Sequence, residues 1–276
     1  MDIVFALIAG VIGVLIGGVI NVLADDLPER VKIRPPHYPD GTPRPRSAWL
    51  GLTAFLTGQR SARNPAPTTL EEGEALRPAR LSWRHPLVEI GTGLAMILMV
   101  TTFRDETNWL VWSIYVAILI LITVIDIEHR LILFAVIIPA CIFALLVALI
   151  TPEEGKNFGT YLIGGGAGFA LFFLMFLGGV GFSQATNAGE IAFGFGDVML
   201  ATLSGLILGW RAFIFASLIT VFAGALGAML YLTARSLMRR RYRLFTPLPY
   251  GPYIVIGTLV MLLFRDEVAQ LLGATP

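Results

Sequence analysis

Long apolar runs alternate with short polar segments along most of the chain. A hydrocarbon core of about 30 Å needs about 20 apolar residues in a helix, so these runs are candidate membrane helices. They cover residues 3–24, 86–103, 109–125, 131–150, 157–182, 197–209, 211–233 and 250–265. The pattern predicts an all-α polytopic membrane protein with about eight transmembrane helices.

The border between the sixth and seventh runs leaves two alternatives. Either Trp210–Arg211 marks a tight turn between two spans, or the runs merge and the chain has seven. Charge favours eight. Sixteen of the 20 Lys and Arg then fall on one side: ten in residues 25–84, Arg130, and five in residues 235–243. Basic loops are typical of the cytoplasmic side, so we expect both termini outside.

Composition agrees with this pattern. Hydrophobic residues make up 56% of the chain and charged residues 14%, with a mean hydropathy of +0.76, whereas soluble domains carry about 25% charged residues. The net charge is +1, and we expect a lipid bilayer as partner and no nucleic acid. The single cysteine, Cys141, excludes an internal disulfide and a cysteine-cluster zinc site.

Residues 25–84 form the one sizeable segment outside the predicted spans. They hold nine of the 16 prolines, which favours turns and extended chain. Residues 47–56 are an apolar island in this segment. Two interpretations stay open: a short helix on the membrane surface, or a packing element of the loop.

Ionisable residues inside or beside apolar runs are costly and therefore candidates for function. They are Glu89, Asp126, Glu128, Glu190 and Asp197. Asp126 ends the third run, and Asp197 begins the sixth, directly after Gly194-Phe195-Gly196. In the eight-span topology both lie at cytoplasmic helix ends and share a depth. Gly194 and Gly196 have no Cβ, so a substrate backbone or a second carboxylate can come close.

Two neighbouring carboxylates cannot both ionise easily, so they hold one proton between them. One can then take a proton from water while the other donates to a substrate carbonyl. This is aspartyl-protease chemistry. Other interpretations are open at this point: Asp197 as a helix N-cap, Asp126 as an interfacial charge, Glu89 as a buried polar contact, or a transporter with two acidic coupling sites.

Five stretches in order resemble the type IV prepilin peptidases, membrane aspartyl proteases with a Gly-x-Gly-Asp signature. They are Gly17–Val22 with Leu27–Pro28, Ser82–Glu89 with Thr92–Gly93, Ile125–Ile132, Gly194–Asp197, and Pro249–Tyr253. The resemblance implies catalytic roles for Asp126 and Asp197. Gly194, Gly196, Glu128 and Glu89 are then expected to bind substrate or support the site.

The resemblance also implies an inner-membrane enzyme that cleaves prepilins or pseudopilins at the cytoplasmic face. Its implied second activity is N-methylation of the new N-terminus with S-adenosylmethionine; the alternative is a peptidase without it. Proteolysis needs no cofactor. The expected parts are a first span (1–24), a cytoplasmic loop domain (25–84) and a membrane-embedded protease domain (85–276).

The chain departs from the family pattern at four places. Leu133–Phe134 stand where the family usually has Pro-Asp, Met199 where it has Lys, and Asp26 where it has Arg. Many members also bind zinc through two Cys-x-x-Cys pairs in the first loop. Residues 25–84 contain no cysteine, so no zinc is expected.

Overall fold

The computed structural model describes residues 2–29, 32–62, 80–103, 108–153, 155–186, 194–237 and 249–271. In this part of the chain every element is helical, apart from two isolated β-bridges. The α-helices are α1 Asp2–Asp26, α2 Gly51–Leu56, α3 Arg84–Thr102, α4 Trp109–His129, α5 Phe134–Ile150, α6 Phe158–Thr186, α7 Phe195–Leu208, α8 Trp210–Leu237, α9 Gly251–Leu263 and α10 Arg265–Leu271. Glu190 and the basic cluster 239–243 lie outside the described residues.

A helix occupies each of the eight predicted positions, which confirms the all-helical prediction. Five are long and apolar enough to cross a membrane: Ile3–Asp26, Arg84–Thr102, Trp109–His129, Phe158–Ala185 and Trp210–Thr233. The apolar helices α5, α7 and α9 are shorter. The count of eight spans therefore stays a prediction.

The border between α7 and α8 is a break in the helix. Gly209 separates them with φ 76°, a left-handed value that glycine adopts without strain. The Gly209 N–H still donates to the Gly205 carbonyl at 2.9 Å and closes the last turn of α7. Of the two sequence alternatives, the structure shows two separate helices.

The chain divides into two compact units, Met1–Val124 and Ile125–Pro276. In the first, α1 packs closely along α3 because glycines of α1 face it. A Cβ at Gly13 would lie 2.7 Å from Gly93 Cα, and one at Gly17 would lie 2.6 Å from Glu89 Cα. The predicted three-part division of the chain concerns topology across the membrane and stays a prediction.

The apolar island at residues 47–56 forms a 3₁₀ turn, Arg46–Ala48, and the short helix α2. Ala48 and Ala54 are buried together with Tyr38 and Leu81 in a small core. The island therefore packs within the loop, as one of the two sequence interpretations proposed.

Ion pairs hold the loop that follows α1. Asp25, at the end of α1, contacts Arg84 and lies 3.3 Å from His85 Nε2. The neighbouring Asp26, fully buried, accepts hydrogen bonds from the Arg34 backbone N–H at 2.7 Å and its guanidinium at 3.2 Å. Asp26, which replaces the family's arginine, thus fixes the chain that leaves α1.

In the second unit, α7 is the central helix and contacts α5, α6, α8 and α9. All its residues from Leu203 to Leu208 are buried. Glycines allow the closest approach: a Cβ at Gly205 would overlap the Gly164 carbonyl, and one at Gly168 would overlap the Ala201 carbonyl. The glycine run 164–168 of α6 therefore serves helix packing.

The far end of α7 is fixed by a separate charged cluster. The Lys156 ammonium donates to the Leu208 carbonyl at 3.0 Å and pairs with Glu153 at 2.6 Å. Glu153 also pairs with Arg265 at 3.2 Å. Burial lowers the pKa of Lys156, and the Glu153 charge opposes that shift. The cluster ties the α5–α6 connection and the end of α9 to one end of α7.

Candidate active site

Asp197 is the third residue of α7. Gly194 is the N-cap residue, so the interpretation of Asp197 as the N-cap itself is wrong by three positions. The Asp197 N–H donates to the Gly194 carbonyl at 3.2 Å, and the Gly194 N–H donates to Asp197 Oδ2 at 3.1 Å. This reciprocal arrangement is a capping box. It holds the carboxylate at the start of the helix while leaving Oδ1 available.

Asp126 lies in the last turn of α4 and is 4% exposed. Its Oδ2 lies against the Gly251 backbone and makes no hydrogen bond of ordinary geometry among the described residues. Arg130, with φ 52°, ends the helix, and its N–H donates to the Asp126 carbonyl at 2.9 Å.

The two aspartates come together in the second unit. The Asp126 charge acts on Asp197, so the two carboxylates lie within electrostatic range. Gly251, at the start of α9, is directly against Asp126: a Cβ there would be 2.5 Å from Oδ2. Three helix ends, those of α4, α7 and α9, therefore meet at one place.

The two glycines of the signature differ in what surrounds them. A Cβ at Gly196 would lie 2.8 Å from Ile132 Cβ, so no side chain fits there. A Cβ at Gly194 would meet only Asp197 Oδ2 at 3.5 Å, an ordinary contact. Gly196 is therefore required for packing, and exposed Gly194 leaves an open approach to the site.

The sequence analysis gave Tyr250 no role, although it quoted the motif that contains it. The Tyr250 ring packs over Gly224 of α8, whose missing Cβ leaves room for it. Tyr250 directly precedes Gly251, the residue that faces Asp126. Tyr250 is thus a neighbour of the aspartate pair, and the Pro-x-Gly-Pro pattern was the signal for it.

Aromatic residues surround the start of α7. Phe195, between the two glycines, lies 5.9 Å from Phe176 and 6.4 Å from Phe173 of α6, measured between ring centroids. Phe134, which replaces the family's acidic residue, lies 6.3 Å from Phe195. This replacement therefore extends an apolar cluster beside the site.

Glu128 is exposed, in contrast to Asp126 two residues earlier. Its carboxylate lies 3.9 Å from the His129 imidazole. Positions two apart on a helix face different directions. For this reason Asp126 is buried while Glu128 is exposed.

Glu89 belongs to the first unit and is 1% exposed. It accepts hydrogen bonds from the backbone N–H groups of Gly51 at 2.6 Å and Leu52 at 2.7 Å, at the start of α2, and from the Asn21 amide at 3.3 Å. Its observed contacts fix the loop to α3, and a part in supporting the aspartate pair stays a prediction.

No group of three or more His, Cys, Asp or Glu in the described ranges could hold a metal ion. Cys141, the one cysteine of the sequence, is half-buried in α5. The zinc site of other family members therefore does not fit the residues of this chain.

Comparison with known proteins supports the motif analysis. The type IV leader peptidase family matches residues 113–229, which include both aspartates. The resemblance to type IV leader peptidases is confirmed. No solved structure matches the chain significantly.

The relatives carry the name prepilin leader peptidase/N-methyltransferase. The protein from Pseudomonas putida is 28% identical over 98% of this chain and 95% of its own length. That from Bacillus subtilis is 28% identical over 68% of this chain and 69% of its own. The match to the Aeromonas hydrophila protein is 26% identical and covers 70% of this chain but only 62% of the relative.

Proposed function

We propose that this chain is an aspartic endopeptidase that removes the leader from type IV prepilin-like precursors. The observation that carries the proposal is the buried Asp126 against Gly251, with Ile132 in contact with both Gly251 and Gly196, the residue before Asp197. One carboxyl donates its proton to the scissile carbonyl, and the other carboxylate takes a proton from the attacking water. The tetrahedral intermediate then breaks its C–N bond, and the leaving amine takes up a proton.

The surroundings of the pair support an extended substrate. A helical backbone already uses its hydrogen bonds, so the cleaved stretch has to be unwound. Exposed Gly194 presents bare backbone beside Asp197. The substrate we propose is a pilin or pseudopilin precursor with a short basic leader before a hydrophobic helix.

We place the cleavage at the cytoplasmic face of the inner membrane. Within the second unit, contacts join Asp126, Ile132, Gly196 and Gly251 in one group, and Glu153, Lys156, Leu208 and Arg265 in another. The eight-span topology puts every member of the first group inside and every member of the second outside, with both termini outside. The grouping supports that topology, because helix ends that contact each other must lie on the same side of the membrane.

The second proposed activity is N-methylation of the new N-terminus. It rests on the names of the relatives, which include N-methyltransferase. S-adenosylmethionine supplies a methyl group when bound. The first unit offers buried polar atoms for such a ligand, since Asn21 Oδ1 and His85 Nδ1 have no hydrogen-bond partner among the described residues.

The aspartate pair is tested with Asp126→Asn and Asp197→Asn in detergent-solubilised protein. Each variant should lose cleavage of a prepilin by about 10²–10⁴-fold, because an amide cannot exchange the proton. Glu128→Gln is the matched control and should keep most of the activity, since Glu128 is exposed. The readouts are cleavage rate and the sequence of the new N-terminus. Wild-type rates in either Asn variant would contradict the assignment.

The same cleavage products answer the methylation question. With S-adenosylmethionine present, mass spectrometry should show the processed N-terminus heavier by one methyl group. An unmodified amine identifies a peptidase without methyltransferase activity. Ion flux into liposomes without peptide cleavage would instead favour the transporter alternative.

A further inference from the structure

Ile132 lies in the connection between α4 and α5, six positions after Asp126, and is half-buried. Its side chain contacts two backbone segments. A Cβ at Gly196 would lie 2.8 Å from Ile132 Cβ and 3.4 Å from Cγ1. A Cβ at Gly251 would lie 3.5 Å from Ile132 Cδ1. The base of the side chain thus touches the start of α7, and its tip reaches the start of α9.

Each of these two backbone segments lies next to one of the two aspartates. Gly196 directly precedes Asp197 in α7. Gly251 faces Asp126, whose Oδ2 would lie 2.5 Å from a Cβ at that position. Both contacts are made to glycine, so Ile132 rests on backbone, which cannot rotate away as a side chain can.

Isoleucine suits a fixed spacing between the two segments. Its β-branch restricts χ1, so the direction in which Cγ1 and Cδ1 leave Cβ varies little. The backbone that carries it begins at Arg130, where φ 52° and the bond to the Asp126 carbonyl end α4. Asp126 and Ile132 are therefore connected through a short, hydrogen-bonded helix end.

We propose that Ile132 is a positioning residue that sets the separation between Asp126 and Asp197. The proposal rests on the proposed function of the pair. Sharing of one proton depends on the distance between two carboxylates, and a misplacement of about 1 Å can lower a rate by about 10²-fold. In this role Ile132 does not contact the attacking water or the substrate. It acts through the two backbone segments that it contacts, at Gly196 and Gly251.

The test compares Ile132→Ala, Ile132→Val and Leu131→Ala on a prepilin substrate. Ile132→Ala should lower kcat by about 10–100-fold with KM little changed. Ile132→Val removes only the Cδ1 contact towards Gly251 and should give a rate between those of wild type and Ile132→Ala. The width of the pH profile of kcat should change in Ile132→Ala, because it reports how strongly the two carboxylates interact. Leu131, 51% exposed, is the adjacent control and should behave as wild type.

Thermal unfolding of each variant separates positioning from folding. A folded Ile132→Ala protein with wild-type kcat and pH profile overturns the proposal. An equal loss of kcat in Leu131→Ala does the same, because the atoms nearest to both glycine positions belong to Ile132 and Asp126 and none to Leu131. If the wild-type protein does not cleave, or if Asp126→Asn cleaves normally, the result contradicts the proposed function itself. Such a result is therefore distinct from one that contradicts the role of Ile132.

Discussion

At the scale of single residues, Asp197 holds a capping position and remains available for chemistry. Its Oδ2 accepts the Gly194 N–H, and this bond fixes the side chain. A cap is worth about 1 kcal/mol to a helix, and the helix start favours a negative charge. The proposed catalytic role does not compete with this bond, because the Gly194 N–H occupies one of the two carboxylate oxygens.

The two signature glycines should respond differently to alanine. Gly196→Ala places a Cβ 2.8 Å from Ile132 Cβ, so the start of α7 has to shift and carry Asp197 with it. We expect a loss of cleavage of about 10²-fold. Gly194→Ala fits its φ of −82° and makes only an ordinary contact, so we expect activity within about threefold of wild type, a difference below 1 kcal/mol. Cleavage assays on both variants check this; equal losses would contradict the packing argument.

Some site residues were predictable from sequence and others were not. Asp126 and Asp197 stand out because a charge in an apolar run needs a reason. Ile132 and Tyr250 give no such signal, since an isoleucine or tyrosine at a span end is ordinary. Their importance comes from contacts across 26 to 119 positions of chain, such as that of Ile132 with Gly251, which spacing along the sequence does not encode.

At the scale of elements, the long apolar runs located the eight helices but not what surrounds each of them. The sixth run was predicted as residues 197–209, and α7 has 14 residues, or about 21 Å. That is shorter than a hydrocarbon core of about 30 Å. Four other helices pack against α7. Its environment is therefore set by packing partners that sequence alone does not reveal.

The contact of α6 with α7 gives a prediction about stability. A Cβ at Gly205 would overlap the Gly164 carbonyl, so Gly205→Ala should destabilise the fold by about 1–3 kcal/mol. Gly166, in the same glycine run, has open space around it and is exposed. Gly166→Ala is the matched control and should be neutral or stabilising by up to about 1 kcal/mol. Thermal unfolding in detergent measures both, and a stable Gly205→Ala protein would argue against this interface.

At the scale of the whole molecule, each of the two units buries charged side chains. In Met1–Val124, Asp26 and Glu89 accept hydrogen bonds from backbone N–H groups. In Ile125–Pro276, buried Asp126 lies against the Gly251 backbone. The sequence marks these charges as unusual. It does not show which of them have hydrogen-bond or ion-pair partners, because pairing is visible only in three dimensions.

The proposed topology can be tested with two exposed threonines. Thr57 lies in the 25–84 segment, which we place in the cytoplasm, and Thr151 follows α5, which we place outside. In a Cys141→Ala background, Thr57→Cys and Thr151→Cys each carry one thiol, because the chain has a single native cysteine. A membrane-impermeant maleimide should label Thr151→Cys in intact cells and Thr57→Cys only after the membrane is opened. The charge pattern requires this result, since ten of the 20 basic residues lie in residues 25–84. Labelling of Thr57→Cys in intact cells would place the basic loop outside. In the eight-span topology the ends of α4 and α7 that carry the aspartates would then also lie outside. A leader in the cytoplasm could not reach them there.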